Sequence, residues 1–444
     1  REMIQLAEEI DGFPRHIGQH VGGMVISSKP LVEMVPVEQG GIAGRTICQW
    51  DKDSCEDAGF IKVDFLALGA LGQVEECLDL IYAHRGEIVD LSTIDHNDPA
   101  VFQMIQEGDT VGVFQIESRA QIQMLPRTRP ANMEDLAVQV AIVRPGPIVG
   151  GAVNPYVRRR ELQRKNPRYR PPCDHPLLEP VLSETLGVII YQDQVLQVCQ
   201  AMAGFSAGKA DGLRRAMSRR RTQLVMEAYW PDFRDGALAR GVPEETARRV
   251  FEKVMAFSEF GFPKSHSAAF AVLAYQAAWL RRYYLPEFTA ALFNNQPMGF
   301  YPLDVLVKDA QRHGLEIRPP CINHSDVACT VEDGAVRIGL SFVKQVGQGA
   351  EAIVAARRQG GPFRSLSDFL RRTRLPREAV ENLIRVGAMD VFGLEERVLL
   401  WQLGLYDPGD RRWFFVGSAG EENSGSSYGA KTPGTGVRKR LAAA

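Results

Sequence analysis

Alternate residues differ in kind along Phe60-Ile61-Lys62-Val63-Asp64-Phe65. The period of a strand puts Lys62 and Asp64 on one face and Ile61, Val63 and Phe65 on the other. The apolar face is expected to be hidden and the charged face open. Two chemistries fit this pattern. One is a surface ion pair on an edge strand, the simpler reading of the alternation alone. The other is a carboxylate that holds a divalent cation beside a lysine that offsets phosphate charge, the combination that nucleotidyl transfer uses.

Other stretches suggest phosphate binding. Ser206-Ala-Gly-Lys-Ala-Asp211 before Leu213-Arg214-Arg215-Ala216-Met217 has the form of a capped helix start, with Ser206 as N-cap. Successive helical residues are about 100° apart, so adjacent arginines diverge, one free to reach a ligand while the other braces the helix. Lys264-Ser265-His266 opens an Ala-rich amphipathic stretch whose free N–H groups would attract phosphate, though a capping Ser beside a satisfied His fits as well. From Phe342 to Ala356, Lys344, Gly347 and Gly349 belong to a helix, G-x-G hairpin, helix pattern suited to binding a nucleic-acid backbone, or to a plain turn. A weaker copy lies around Val386-Gly387-Ala388. His16 and His20 have the i, i+4 spacing of zinc ligands, but Gly18, Gly22 and Gly23 argue for a loop.

The elements behind these residues are mixed at first and then helical. A Gly-rich turn and strand-like runs at 24–27 and 60–66 lie in the first 68 residues. Leu71, Val74, Cys77, Leu78 and Ile81 then fall at helical spacing, and helical patterns persist to about residue 312. Val- and Ile-rich residues at 329–340 predict a hairpin, and short helices return over 343–392. The Gly/Ser/Thr-rich run from 417 to 436 has no periodicity and is expected to be disordered.

Composition sets wide bounds. A chain of 444 residues has room for two or three cores. No run approaches the length of a membrane span, and seven scattered cysteines suit a reducing cytoplasm. The net charge is −2, yet seven Lys or Arg lie between Arg158 and Arg170, with arginine doublets at 214–215, 281–282, 357–358 and 371–372. Local basic stripes on a near-neutral chain fit a groove that follows phosphates, although solvated helix faces fit equally well. Because Arg1 stands where Met would begin a protein, the chain is expected to be cut from a longer one.

The stretch Gly59–Leu68, preceded by Gln49-Trp-Asp-Lys52 and Arg15-His-Ile-Gly-Gln-His-Val-Gly-Gly23, resembles the bacterial DNA polymerase III alpha subunit family. Gly112-Val-Phe-Gln-Ile-Glu-Ser-Arg119, Arg144-Pro-Gly-Pro147, Leu213–Met217 and Gly261–Ala269 match in the same order, from about residue 10 to about 405. Asn295–Tyr301 and Asp309–Gly314 are more similar to its error-prone, damage-associated paralogue than to the main replicase. Lys264 departs from that paralogue, which more often carries Glu there.

The resemblance implies a multidomain α+β fold, mostly α. Residues 1–68 would be the C-terminal part of a nucleotidyltransferase-like palm, 69–335 large helical fingers, and 336–395 a helix-hairpin-helix DNA-binding region. The tail, 396–444, would be disordered after 410. It also implies that Asp64 is a catalytic metal ligand for Mg2+ and Lys62 its active-site neighbour. Arg214, Arg215, Lys264, His266, Gln115, Ser118 and Arg119 would bind nucleotide or phosphate, and Gly347, Gly349 and Lys344 would bind DNA. The implied partners are primer-template DNA and deoxynucleoside triphosphates, with a sliding clamp or other accessory proteins docking through regions outside this chain; the implied location is cytoplasmic. Two further catalytic aspartates lie upstream in the family. Asp51 and Asp53 have their spacing but sit in a polar run, so they read as decoys and the segment alone is expected to be inactive. The alternatives are a main replicative alpha subunit, or a non-catalytic DNA-binding relic.

Overall fold

The computed structural model describes residues 2–11, 22–40, 44–65, 68–144, 147–148, 151–216, 227–257 and 262–405. The expected disordered tail and the His16/His20 pair lie outside them.

The first part carries helix α1 (Glu2–Glu9), strands β1 (Gly23–Ile26), β2 (Val37–Gln39) and β3 (Thr46–Cys48), helix α2 (Lys52–Asp57) and strand β4 (Ile61–Asp64). Strands β1 and β4 pair antiparallel, Val25 opposite Lys62 and Gly23 opposite Asp64; β2 and β3 form a second two-stranded ribbon. Asp51 caps α2, its carboxylate accepting the Ser54 amide at 2.7 Å, a structural role for this residue of the decoy pair. A small core of Val35, Cys55 and Phe60 packs against Val25 and Trp50.

That core lies on the Val25 side of the ribbon, the face that also bears Lys62. The expectation of a hidden apolar face is therefore overturned: Ile61 is 62% exposed, and Met24, Ile26 and Phe65 are exposed too. A two-stranded ribbon has two faces, and α2 with its neighbours covers only one.

Helix α3 (Leu68–Arg85) follows at the predicted spacing, with Cys77 and Ile81 buried. Local chemistry starts the next helices. Asp98 caps α4 (Pro99–Glu107), which has Pro at its first position and Gly108, at φ 75°, as its stop. Ser118 caps α5 (Arg119–Thr128), and Asn132 caps α6 (Met133–Ile142). Helix α7 (Val153–Lys165) carries the first five residues of the basic cluster, Arg158 to Lys165. Helices α8 (Gln192–Ala203), α9 (Ala207–Ala216), α10 (Trp230–Ala239) and α11 (Glu244–Phe257) build a core of their own around Phe205, Phe233 and Phe251.

The main core gathers α3 to α6 around the long α12 (Lys264–Tyr283), α13 (Leu285–Asn294) and α14 (Leu303–Arg312). Ser267, Ala271, Ala274 and Ala278 are buried along one stripe of α12, and such small residues let α6 lie close. Ser267 Oγ donates to the Ala137 carbonyl across that contact. A three-stranded sheet, β5 (Ile317–Arg318), β7 (Ala335–Arg337) and β6 (Thr330–Glu332) in spatial order, contains the predicted 329–340 hairpin. A last core extends from Ile322 to Leu403 and packs α15 (Gly349–Gly360), α16 (Leu366–Thr373), α17 (Arg377–Arg385) and α18 (Glu396–Gly404).

Candidate nucleic-acid interface

Gln115 lies between α4 and α5 with φ 68°, a left-handed conformation rare for a residue with a side chain. Its loop is held from several sides. Thr110 Oγ1 donates to the Ile116 carbonyl at 2.7 Å, and Tyr301 Oη donates to the Glu117 carbonyl at 2.7 Å. The buried Glu117 carboxylate accepts the Gly112 amide at 3.2 Å. Burial outweighs that hydrogen bond and pushes the Glu117 carboxyl up to about 7.

So fixed, Gln115 Oε1 accepts from Arg144 Nη2 at 3.3 Å. The Arg144 guanidinium lies 4.2 Å from the centroid of the Phe262 ring, which it covers. Phe262 is anchored in turn, its carbonyl accepting the Gln192 amide at 3.0 Å. The His266 ring meets Phe262 and Phe270 edge-on, at centroid distances of 4.9 and 4.2 Å, and Phe270 lies 5.4 Å from Phe114. Three distant segments thus form one aromatic and cationic patch: the 114–115 loop, Arg144, and the 262–270 segment that begins α12.

Other predicted residues have structural partners. Ser118 Oγ accepts the Gln121 amide at 3.3 Å as the N-cap of α5. Arg119, next to it, is exposed, and its side chain makes no ion pair or hydrogen bond among the described residues. The expected free phosphate site at the start of α12 is corrected. The Lys264 amide donates to Asp193 Oδ2 at 2.7 Å, and its ammonium pairs with Glu184. A carboxylate already meets the helix end that the sequence left open.

Lys62 Nζ lies 2.9 Å from Glu56 Oε2 on α2. The Asp64 backbone ends β4 opposite Gly23, while its side chain lies outside the described residues. The same holds for the side chains of Arg214 and Arg215 on α9. Their helix start is described: Ser206 Oγ accepts the Lys209 amide at 3.3 Å, as expected of an N-cap.

The hairpin is anchored in the last core by Val343, Val346 and Ala350, which are buried there. Gly347 has φ 45°, and a Cβ on Gly349 would come within 2.4 Å of Leu375 Cδ2, so both glycines have a local steric reason. Lys344 is exposed, and its carbonyl accepts from Asn382 Nδ2 at 3.0 Å. The helix predicted before the hairpin is one 3-10 turn, Leu340–Phe342.

The basic cluster divides by side. Arg160 pairs with Asp135, and Arg159 Nη1 donates to the Leu186 carbonyl at 2.6 Å, while Arg158, Arg164 and Arg168 are exposed. In the doublets, Arg281 is 4% exposed between Asp109 and Asp309, whereas Arg282 is exposed. Arg372 is held by Asp368 and two carbonyls, whereas Arg371 is exposed.

Among the described residues, one group has the composition of a metal site: Asp109, Asp309 and His313. It does not fit Mg2+, which favours oxygen ligands. Arg281 engages Asp109 Oδ1 and Asp309 Oδ2 at 2.6 and 3.0 Å, and His313 Nε2 meets Asp109 Oδ2 at 2.8 Å, so the oxygens a cation would need are engaged.

The sequence gives Arg144 and Glu117 no role of their own; each stands only inside a stretch that matches the family. An apolar Val113-Phe114 before the polar Gln115 was the only local signal for the loop. Among the described residues no helix is long and apolar enough to cross a membrane.

Three family models match the chain in order. They are a bacterial DNA polymerase III alpha NTPase domain over residues 1–67, the bacterial DNA polymerase III alpha subunit finger domain over 70–241, and a helix-hairpin-helix motif over 314–399. Curated relatives are called error-prone DNA polymerase. The Corynebacterium efficiens protein is 44% identical over 405 residues, 91% of this chain and 37% of its own length. The Mycobacterium bovis protein is 44% identical over 407 residues, with the same two shares. The Vibrio campbellii protein is 46% identical over 377 residues, 83% of this chain and 36% of its own length. The chain therefore spans little more than a third of the relatives it matches.

Proposed function

We propose, from the premise that this chain belongs to the bacterial DNA polymerase III alpha-subunit family, that it is part of a DNA-directed DNA polymerase of the error-prone type. The parent enzyme would extend a primer on a DNA template with deoxynucleoside triphosphates during repair or damage-induced replication. The observation that carries this reading is the match of three polymerase segments in order, with relatives at 44% identity over 91% of the chain.

Asp64 would hold Mg2+ at the end of β4, and that cation would supply neutralisation of the charge that develops in nucleotidyl transfer. The chain's own residues do the rest. Lys62 stands on the same ribbon face and would offset triphosphate charge by exchanging its Glu56 partner for phosphate. Arg214 and Arg215 serve the triphosphate, one of them gripping phosphate with its guanidinium fork while the other braces the helix, and the 114–115, 144 and 262–270 patch forms a wall of the nucleotide and DNA site. The hairpin with Lys344, Gly347 and Gly349 holds duplex backbone, which positions DNA without reading its sequence. The domain plan follows: end of the palm to residue 68, fingers to 335, DNA-binding hairpins to 395. Clamp or accessory-protein docking and a cytoplasmic location belong to the same proposal.

Asp64→Ala in the full-length parent tests it. Nucleotide incorporation should fall at least ~1000-fold, the scale of losing a catalytic group, while primer-template affinity stays within about twofold. Normal incorporation by that variant would remove the catalytic assignment of Asp64, whereas a parent that incorporates no nucleotide even without the substitution would favour the DNA-binding relic.

A further inference from the structure

Partly buried arginines in this fold are engaged by anions or carbonyls. Arg85 has Glu287, Arg160 has Asp135, Arg281 has Asp109 and Asp309, Arg337 has Glu332 and Arg372 has Asp368. Arg357 donates to the carbonyls of Ile322 and Ser325. Such pairing is expected, because a guanidinium withdrawn from water loses hydration that only an anion or several acceptors replace.

Arg144 departs from this pattern. Among the described residues its side chain has one hydrogen bond, to Gln115 at 3.3 Å, and one ring, Phe262 at 4.2 Å. A neutral amide and an aromatic face orient a guanidinium but leave its charge uncompensated. Two carboxylates of that region, Asp193 and Glu184, are engaged by the amide and ammonium of Lys264. Burial alone lowers the pKa of Arg144, with no anion to offset it. The cation is nonetheless positioned by a residue of left-handed conformation on one side and a backbone-anchored ring on the other.

We infer that Arg144 is a phosphate-binding residue, oriented by Gln115 and Phe262 so that its remaining N–H groups meet a phosphate of the nucleotide or of the DNA backbone. The inference rests on the polymerase reading and extends it to a residue outside the arginine pair on α9. Orientation by a ring and one amide leaves most of the five guanidinium donors free, and the planar fork matches two phosphate oxygens. Gln115 and Phe262 are positioning residues in this account.

The test uses the full chain with two probes, a labelled primer-template duplex and inorganic tripolyphosphate, each titrated at several salt concentrations. Arg144→Gln should weaken one or both probes about tenfold, and for the duplex should reduce the salt-dependence slope by about one counterion. A loss confined to the duplex assigns the phosphate to the DNA backbone; one confined to tripolyphosphate assigns it to the nucleotide. Arg144→Lys keeps the charge but not the fork, so it should keep the salt slope while losing several-fold in affinity, a pattern that partial unfolding would not produce. Wild-type affinity and slope in both variants would overturn the inference and leave the polymerase reading standing. Failure of the unaltered chain to bind either probe would overturn both.

Discussion

Arg85 Nε and Nη2 reach the two carboxylate oxygens of Glu287 at 2.7 and 3.0 Å, a bidentate pair that ties the end of α3 to α13. Glu287 is wholly buried, and His84 Nδ1 lies 2.7 Å from the same carboxylate. Removing Arg85 would leave a buried anion with one partner. Arg85→Ala should therefore lower unfolding free energy by about 3 kcal/mol in denaturant titration, the low end for a broken buried pair because Arg85 is partly solvated.

The same pair has an acid limit. Desolvation pushes the Glu287 carboxyl up, but the bonds from Arg85 and His84 outweigh it and hold it below its ordinary value. Its folded pKa is depressed, so its stabilisation is fully present above the unfolded value of 4.5 and is lost as pH falls through the folded one. Melting temperatures of wild type and Glu287→Gln should converge as pH drops below that range.

Glu117 has the opposite sign. Its folded pKa of about 7 exceeds the unfolded 4.5, so stability from this group falls as pH rises between those values and is flat above them. Glu117→Gln keeps an acceptor for the Gly112 amide and removes the charge. At about pH 8 it should be more stable than wild type, on the order of 2 kcal/mol, with the difference vanishing at about pH 4. A flat difference across that range in calorimetry would count against the buried-acid assignment.

Gly236 on α10 lies where a Cβ would come within 2.0 Å of the Ala203 carbonyl oxygen at the end of α8. Backbone cannot give way as a flexible side chain can. Gly236→Ala gains about 1 kcal/mol of helix propensity but should still destabilise, by a net ~2 kcal/mol, through overpacking. Denaturation midpoints of the two proteins decide the sign.

The arginines of the 158–170 cluster should separate by role. Replacing the exposed Arg158, Arg164 and Arg168 together with Gln should leave the melting temperature unchanged and reduce the salt slope of duplex binding, by about 0.9 for each phosphate no longer neutralised. Arg160→Gln, which breaks the pair with Asp135, should lower the melting temperature instead. Equal behaviour of the two variants would contradict the division.

Helix starts are legible in the sequence because a cap acts within three residues: Ser206 shows itself as one, and Asp98, Ser118 and Asn132 follow the same local chemistry. The alternation at 60–65 correctly gives a strand, and the ordered motifs give the family. The angular divergence of adjacent arginines is also legible, and Arg281 beside Arg282 shows it. Which arginine of a doublet turns inward is not, because that depends on where the partner acids pack.

Tertiary structure decided the rest. The covered face of the β1–β4 ribbon is the one packed on α2, and no alternation rule specifies which side a neighbouring segment will cover. The start of α12 looks open to phosphate until Asp193 is brought against the Lys264 amide from another helix. Arg144 acquires its setting only when the 115 loop and Phe262 converge on it from distant parts of the chain. Sequence by itself determined the elements, their order and the family, since caps, periods and motifs act over a few residues. Contacts between segments far apart along the chain determined which charges are braced and which are free, because burial and pairing are properties of packing.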